Sequence, residues 1–324
     1  MEVNRMPNRQ LWMWILGAQS ALLVVGAGSV SWLTVLLAGA AGLGLSCCVL
    51  RISRNVVCQN RLFWILEWLW TVVMIGLILG QTRDCWQTGE GGSLLIPVTL
   101  LLLAIGAGWQ GGTQPARVGS VLTWLLGIIY IVVSASGIRG IHLDRIGTTV
   151  EFPNVMLAPG FLLPCAAVLL PGKADPGKSG YYYLGAMGLA LAVSFLTMGT
   201  LSESAAQNEN NAFYEAVRGM SLFGTAERFE SFLSAAMTIG WYSALSLMTV
   251  ILGEASQHIS GKRGCGIVTG SITALILFIL DVPWGMGIIT GGTVAAWCIL
   301  PMLASVKKKV KKQEKTLDKR GKGW

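Results

Sequence analysis

Eight stretches of this chain run for 17 to 41 residues without a single Asp, Glu, Lys or Arg: 10–50, 91–116, 118–138, 152–172, 179–202, 231–253, 264–280 and 282–306. A helix needs about 20 predominantly apolar residues to cross about 30 Å of hydrocarbon, where every backbone group must bond within the protein. The first run is long enough for two spans turning at Gly26-Ala27-Gly28-Ser29, and 62–82 adds a further span interrupted only by Glu67. The pattern predicts an all-α integral membrane protein with ten transmembrane helices over residues 1–306 and a short basic tail over 307–324. With 12% charged and 53% hydrophobic residues, the chain has too little charge for the surface of a soluble globule, which carries about 25%.

The formal charge of +8 suggests a nucleic-acid partner until it is located. Residues 307–324 hold nine Lys or Arg against Glu314 and Asp318, a net +7, so the other 306 residues carry only +1. A polybasic run after a membrane helix is expected to stay cytoplasmic and to touch anionic lipid, with no nucleic acid involved. The seven cysteines lack metal-ligand spacing and mostly fall in or beside spans, as packing residues do, so neither metal nor cofactor is expected. Gly172-Lys173-Ala174-Asp175-Pro176-Gly177-Lys178-Ser179 spells a phosphate-loop pattern, but it joins two membrane helices and lacks the strand that such a loop follows.

Ten spans leave both termini on one side, and positive charge chooses the side. With the termini cytoplasmic, nineteen Lys or Arg lie inside, including Arg51, Arg61, Arg117 and Lys262, against five outside: Arg83, Arg139, Arg145, Arg218 and Arg228. His142 and His258 then fall on opposite faces, and no Ser/His/Asp or paired-carboxylate constellation exists, so the chain is not expected to be an enzyme.

Two spans carry break signals. The first holds Gly17-Ala18-Gln19-Ser20 amid apolar residues, and the sixth holds Ala158-Pro159-Gly160 between Pro153 and Pro164. Proline removes a donor and glycine frees the backbone. Interrupted helices at matching positions predict an inverted five-plus-five repeat, its halves about 10–138 and 152–306, with discontinuous helices 1 and 6. Close packing through small residues is the other reading of the first-span interruption. Trp12 and Trp14 suit interfacial anchoring there. In the third span Glu67 shares a face with Thr71 and Met74; it either pairs with Arg61 or Arg117 or serves a proton or a ligand. Ser243 and Ser246 in the eighth span either face a cation or ligand or bond locally.

The one long polar interval, 201–230, carries Phe213, Ala216, Val217 and Met220 at helical spacing, then Gly219 and Gly224, with Thr225 placed to cap the next helix. Within it Tyr214-Glu215, Val217-Arg218, Ser221 and Glu227-Arg228-Phe229-Glu230 resemble, without a gap, a segment of the spore germination permeases, the B subunits of Ger-type nutrient germinant receptors. Gly111 to Arg117 and the Asp-Pro after span six are also similar to that family, and the order of spans agrees. Family members usually carry Phe-Pro before the Tyr-Glu, where this chain has Asn211-Ala212-Phe213, and an eighth-span Trp stands here as Met237. Thr113 and Ser120 take the place of acidic residues.

The resemblance implies the fold of the amino acid, polyamine and organocation transporter superfamily and a spore inner-membrane location. It also implies a small nutrient ligand, an amino acid by preference, and two partners: an A-type membrane subunit and a C-type lipoprotein. A ligand near the midplane would meet Gly17, Gln19, Ser20, Ala158, Pro159 and Gly160, with Thr71, Trp241 and Ser243 lining the pocket. Tyr214, Glu215, Arg218, Glu227, Arg228 and Glu230 would form an outer lid, Arg218 pairing into the Glu227–Glu230 turn. A stand-alone proton- or sodium-coupled amino acid transporter is the alternative. The charge rule is checked directly: a reporter fused after Trp324 should be active only in the cytoplasm, and an epitope inserted beside Asn210 should be reached by antibody only from outside. The reverse pattern would overturn the orientation.

Overall fold

The computed structural model describes residues 7–53, 60–86, 94–150, 154–170, 176–209, 211–218 and 229–306. The basic tail, residues 172–175 of the 172–179 stretch, Met220, Ser221, Gly219, Gly224, Thr225, Glu227 and Arg228 therefore lie outside the described residues. Among those described there is no strand. The helices are α1 (Asn8–Gly28), α2 (Trp32–Ser53), α3 (Arg61–Trp86), α4 (Leu95–Gln110) and α5 (Thr113–Gly137), then α6 (Leu157–Leu162) and α7 (Pro176–Leu201). Two short helices follow, α8 (Glu203–Asn208) and α9 (Ala212–Arg218), then α10 (Phe229–Ser260), α11 (Arg263–Ile279) and α12 (Met286–Val294). Seven helices are long and apolar enough to cross a membrane, and Leu95–Gln110, Leu157–Leu169 and Arg263–Ile279 are shorter apolar helical stretches beside them.

Burial sorts these helices into a centre and a periphery. The apolar window of α1 is 94% buried inside the protein, against 28% for α5. α1 packs against α5, α6, α7 and α10, and α10 in turn against α3, α4 and α11. On α5, Val121, Trp124, Ile128 and Ile131 are exposed while Ala116, Thr123, Leu126, Tyr130 and Val133 are buried, both sets at three-to-four-residue spacing. An exposed apolar stripe of this kind faces lipid, and the smaller and more polar stripe faces protein. α1 has no such lipid stripe, because all its sides meet other helices.

The first-span break does not occur. α1 is one uninterrupted helix of 21 residues. The Ser20 hydroxyl bonds back to the Gly17 carbonyl at 2.7 Å, a local bond within an intact helix. Gly17 is small because Thr123 of α5 occupies the space a Cβ would need. Trp12 and Trp14 are buried in the protein rather than at an interface, since the helix carrying them is central. The sixth span changes helix type: α6 gives way to a 3₁₀ stretch, Leu163–Leu169. Ala158-Pro159-Gly160 lies in the first turn of α6, where a missing N–H breaks no helical bond, and the change of winding comes just before Pro164.

Side chains bonded to the backbone of neighbouring helices hold the bundle. Tyr183 of α7 donates to the Gly39 carbonyl at 2.8 Å, Ser194 to Val30 at 2.8 Å, and Thr249 of α10 to Ala104 at 2.8 Å. At one end of the bundle the His142 amide donates to the Gly199 carbonyl at 3.0 Å, and Arg83 bridges from α3 to Asp281 at 3.0 Å. Arg263 ties three helices at the other end, with Nη1 on Glu254 at 2.5 Å and Nε on the Gly108 carbonyl at 3.2 Å.

Glycine allows the tightest approach. A Cβ on Gly26 would lie 2.6 Å from the Leu157 amide nitrogen and 2.8 Å from its Cα, so α1 and α6 meet backbone to backbone. Gly44 of α2 has nothing within 4 Å of its Cβ position. Gly26→Leu should therefore lower stability by about 1–3 kcal/mol through forced separation of α1 and α6. Gly44→Ala should be neutral or slightly stabilising, and thermal unfolding in detergent checks both.

Candidate functional site

The junction of α1 with α6 is built around one amide. Gln19, buried on α1, donates from Nε2 to the Gly160 carbonyl at 2.9 Å. A Cβ on Gly160 would lie 2.7 Å from Leu23 Cδ2, so this position must stay bare for the two helices to approach. Of the predicted site residues, Gln19 and Gly160 are in direct contact at this crossing, whereas Gly17 faces Thr123 of α5 and Ser20 lies beside Tyr130. α10 closes the side of that crossing: a Cβ on Gly240 would lie 2.8 Å from the Ala21 Cβ, and Trp14 Nε1 donates to Ser246 Oγ at 3.2 Å.

The other predicted residues are placed apart from it. Trp241 is fully buried on α10, and its Nε1 has no partner. Ser243 bonds within its own helix, to the Ile239 carbonyl at 2.9 Å. Thr71 likewise bonds within α3, to the Glu67 carbonyl at 2.7 Å. Glu67 pairs with neither Arg61 nor Arg117: its carboxyl is fully buried and both oxygens lack a hydrogen-bond partner, whereas both arginines are exposed. Arg117 opens α5 on the surface of the bundle, too far out to reach an inward-facing carboxyl.

Two further buried groups carry no charge signal in the sequence. The Tyr130 hydroxyl, on the buried stripe of α5, lies beside Ser20 and 3.7 Å from Met237 Sδ. Cys85 receives a bond from Asn211 Nδ2 at 3.2 Å and adjoins Trp241. A lone tyrosine in the charge-free run 118–138 was the available hint. From Ser20 and Tyr130 a cavity of about 520 Å³ runs between α5 and α7, lined also by Thr123, Ser134, Gly185 and Gly188.

α9 sits across the end of α1. A Cβ on Gly28 would lie 3.1 Å from the Phe213 amide nitrogen, and Phe213, Tyr214, Ala216 and Val217 are buried against α1, α7 and α10. Glu215 and Arg218 form an i,i+3 ion pair at 3.8 Å on the outer face. With Arg218 57% and Glu215 33% exposed, such a pair contributes about 0–1 kcal/mol, so apolar burial holds α9 down. Glu230 is the second residue of α10, and its side chain lies outside the described residues together with Glu227 and Arg228.

No protein-family model matches the chain, and no curated protein matches it in sequence. Among solved structures, the fold is similar to that of a nucleobase-cation-symport-1 family transporter in a closed conformation with bromovinylhydantoin bound. The match has a TM-score of 0.64 at 12% sequence identity and covers 93% of this chain and 77% of that one. The chain has the fold of that protein, with seven helices long and apolar enough to cross a membrane.

Two substitutions distinguish a bonded buried group from an unbonded one. Gln19→Leu should cost about 1–3 kcal/mol of stability, because it orphans the Gly160 carbonyl. Trp241→Phe removes an N–H that has no partner and should cost less than Gln19→Leu, as unfolding in detergent or lipid would measure.

Proposed function

We propose that this protein is a transporter-like membrane subunit of a spore nutrient germinant receptor, and that a small nutrient, an amino acid by preference, binds where α1 crosses α6. The seven long helices and three shorter apolar stretches are read as ten spans in two inverted halves of five. The observation that carries the reading is the buried Gln19–Gly160 bond at the centre of a transporter fold. An amino acid offers the complementary pair, an ammonium for the Gly160 carbonyl and a carboxylate for the Gln19 amide. A ligand that takes both positions replaces the helix–helix bond when α1 and α6 separate, so binding and conformation are linked. The germinant-receptor part rests on the permease-like segment around Tyr214–Glu230, and the A-type and C-type partners come with it.

The unpaired Glu67 favours a second reading, a stand-alone transporter coupled to a proton or sodium ion. Flux in liposomes holding this protein alone supports that reading, whereas activity only beside the two partners supports the receptor. For the site itself, Gln19→Leu and Gly160→Leu should each weaken nutrient-triggered germination at least about tenfold in effective concentration while the protein is still made. Tenfold corresponds to about 1.4 kcal/mol, the scale of one lost polar contact. Unchanged germination in both variants would place the ligand elsewhere.

A further inference from the structure

Glu67 lies on α3 six residues from Arg61, or about 9 Å along the helix axis. Among the described residues neither carboxyl oxygen has a hydrogen-bond partner, and the side chain is buried. The nearby Thr71 hydroxyl is committed to the Glu67 main-chain carbonyl. Across the interface α3 packs against a π-helical turn, Ala295–Ile299, that carries Cys298 and interrupts the helix Met286–Val306. Isolated π turns recur at functional sites. Cys298 Sγ is 3.7 Å from Cys165 Sγ of the 3₁₀ stretch, which in turn lies 3.3 Å from Ser46 Oγ on α2.

Among the described residues, the remaining charged and titratable groups on elements packed against α3 leave Glu67 without a counter-charge. On α10, Glu254 is bonded to Arg263, His258 stacks on Trp64 with ring centroids 4.3 Å apart, and Tyr242 is half-buried. On α11, Arg263 is bonded to Glu254 and to the Gly108 carbonyl, and Cys265 is exposed. α4 carries no titratable residue. An ionised carboxylate left unpaired in such surroundings costs several kcal/mol, while the neutral acid costs only a polar group's desolvation.

We propose that Glu67 is a membrane-embedded proton-binding site, holding its proton while the interface between α3 and the π turn is shut and releasing it to water when that interface opens. The balance is simple: one O–H bond breaks, the proton passes to water, and the carboxylate keeps the electron pair. Opening and proton release are then one event, and the domain's conformational equilibrium depends on pH. This inference does not need the ligand site proposed above.

The test uses the full chain in lipid vesicles with dicyclohexylcarbodiimide, an apolar reagent that couples to protonated carboxyls within membranes, followed by peptide mass mapping. Glu67 should be modified at acid pH, with the label lost as pH rises, and E67Q should show no label at that peptide. Absence of label at Glu67 at every pH, in protein that unfolds like untreated protein, would overturn the proposal. So would protection by sodium or potassium at constant acid pH, which would make the site a metal-cation site. Alkylation of Cys298 supplies a second measurement: at alkaline pH it should be several-fold faster in the parent chain than in E67Q. Equal rates would show that proton release and opening are not linked.

Discussion

Inside hydrocarbon a peptide group has no water to bond, so each one must find its partner within the protein. The consequence here is a bundle made of helices alone among the described residues, in which cohesion between helices cannot come from hiding apolar surface, since lipid is equally apolar. Two devices supply it instead. Bare glycine positions let α1 approach α6 and α9 at backbone distance, at Gly26 and Gly28, and leave room for the Thr123 side chain of α5 at Gly17. Hydroxyls and one amide then reach from one helix to the carbonyls of the next, as in Gln19 to Gly160 and Tyr183 to Gly39.

Much of this could be read from the sequence, because the membrane imposes a simple rule on composition. Charge-free runs mark the long helices, and the polar interval 201–230 contains the short helix at Ala212–Arg218 with the apolar face its spacing gives. What failed was the interpretation of small and polar residues inside a run. Gly17 and Gln19 read equally as a helix break or as packing and bonding residues, because glycine serves both ends with the same letter. The structure resolves the choice through Thr123, more than a hundred positions away, which fills the space beside Gly17. Trp12 and Trp14 failed for a related reason: an indole suits an interface, but a helix ringed by others has no interface to offer.

Proline shows how position within a helix decides the effect of a residue. Pro159 falls in the first turn of α6 and interrupts nothing, while Pro164 coincides with the change from α to 3₁₀ winding. The element is irregular as its composition indicates, but the irregularity lies a turn beyond Gly160, leaving that carbonyl to receive Gln19. The crossing is therefore closed by a side-chain bond between two intact helical segments. A ligand that enters must offer what that bond offers.

Polar satisfaction also separates structure from function in this molecule. Buried hydroxyls such as Thr82, Ser194, Thr197 and Thr249 are all bonded, as a membrane interior demands. The exceptions include Glu67, Trp241 and Trp297, on α3, α10 and the π turn. An unsatisfied buried group is a cost that packing alone gives no reason to keep, and an indole could lose its N–H with little change of shape. The carboxyl is the most costly of these when ionised. Its position between a regular helix and a π turn puts the least stable charge of the bundle against its least regular backbone. The neighbouring turn already departs from the winding that the rest of its helix keeps.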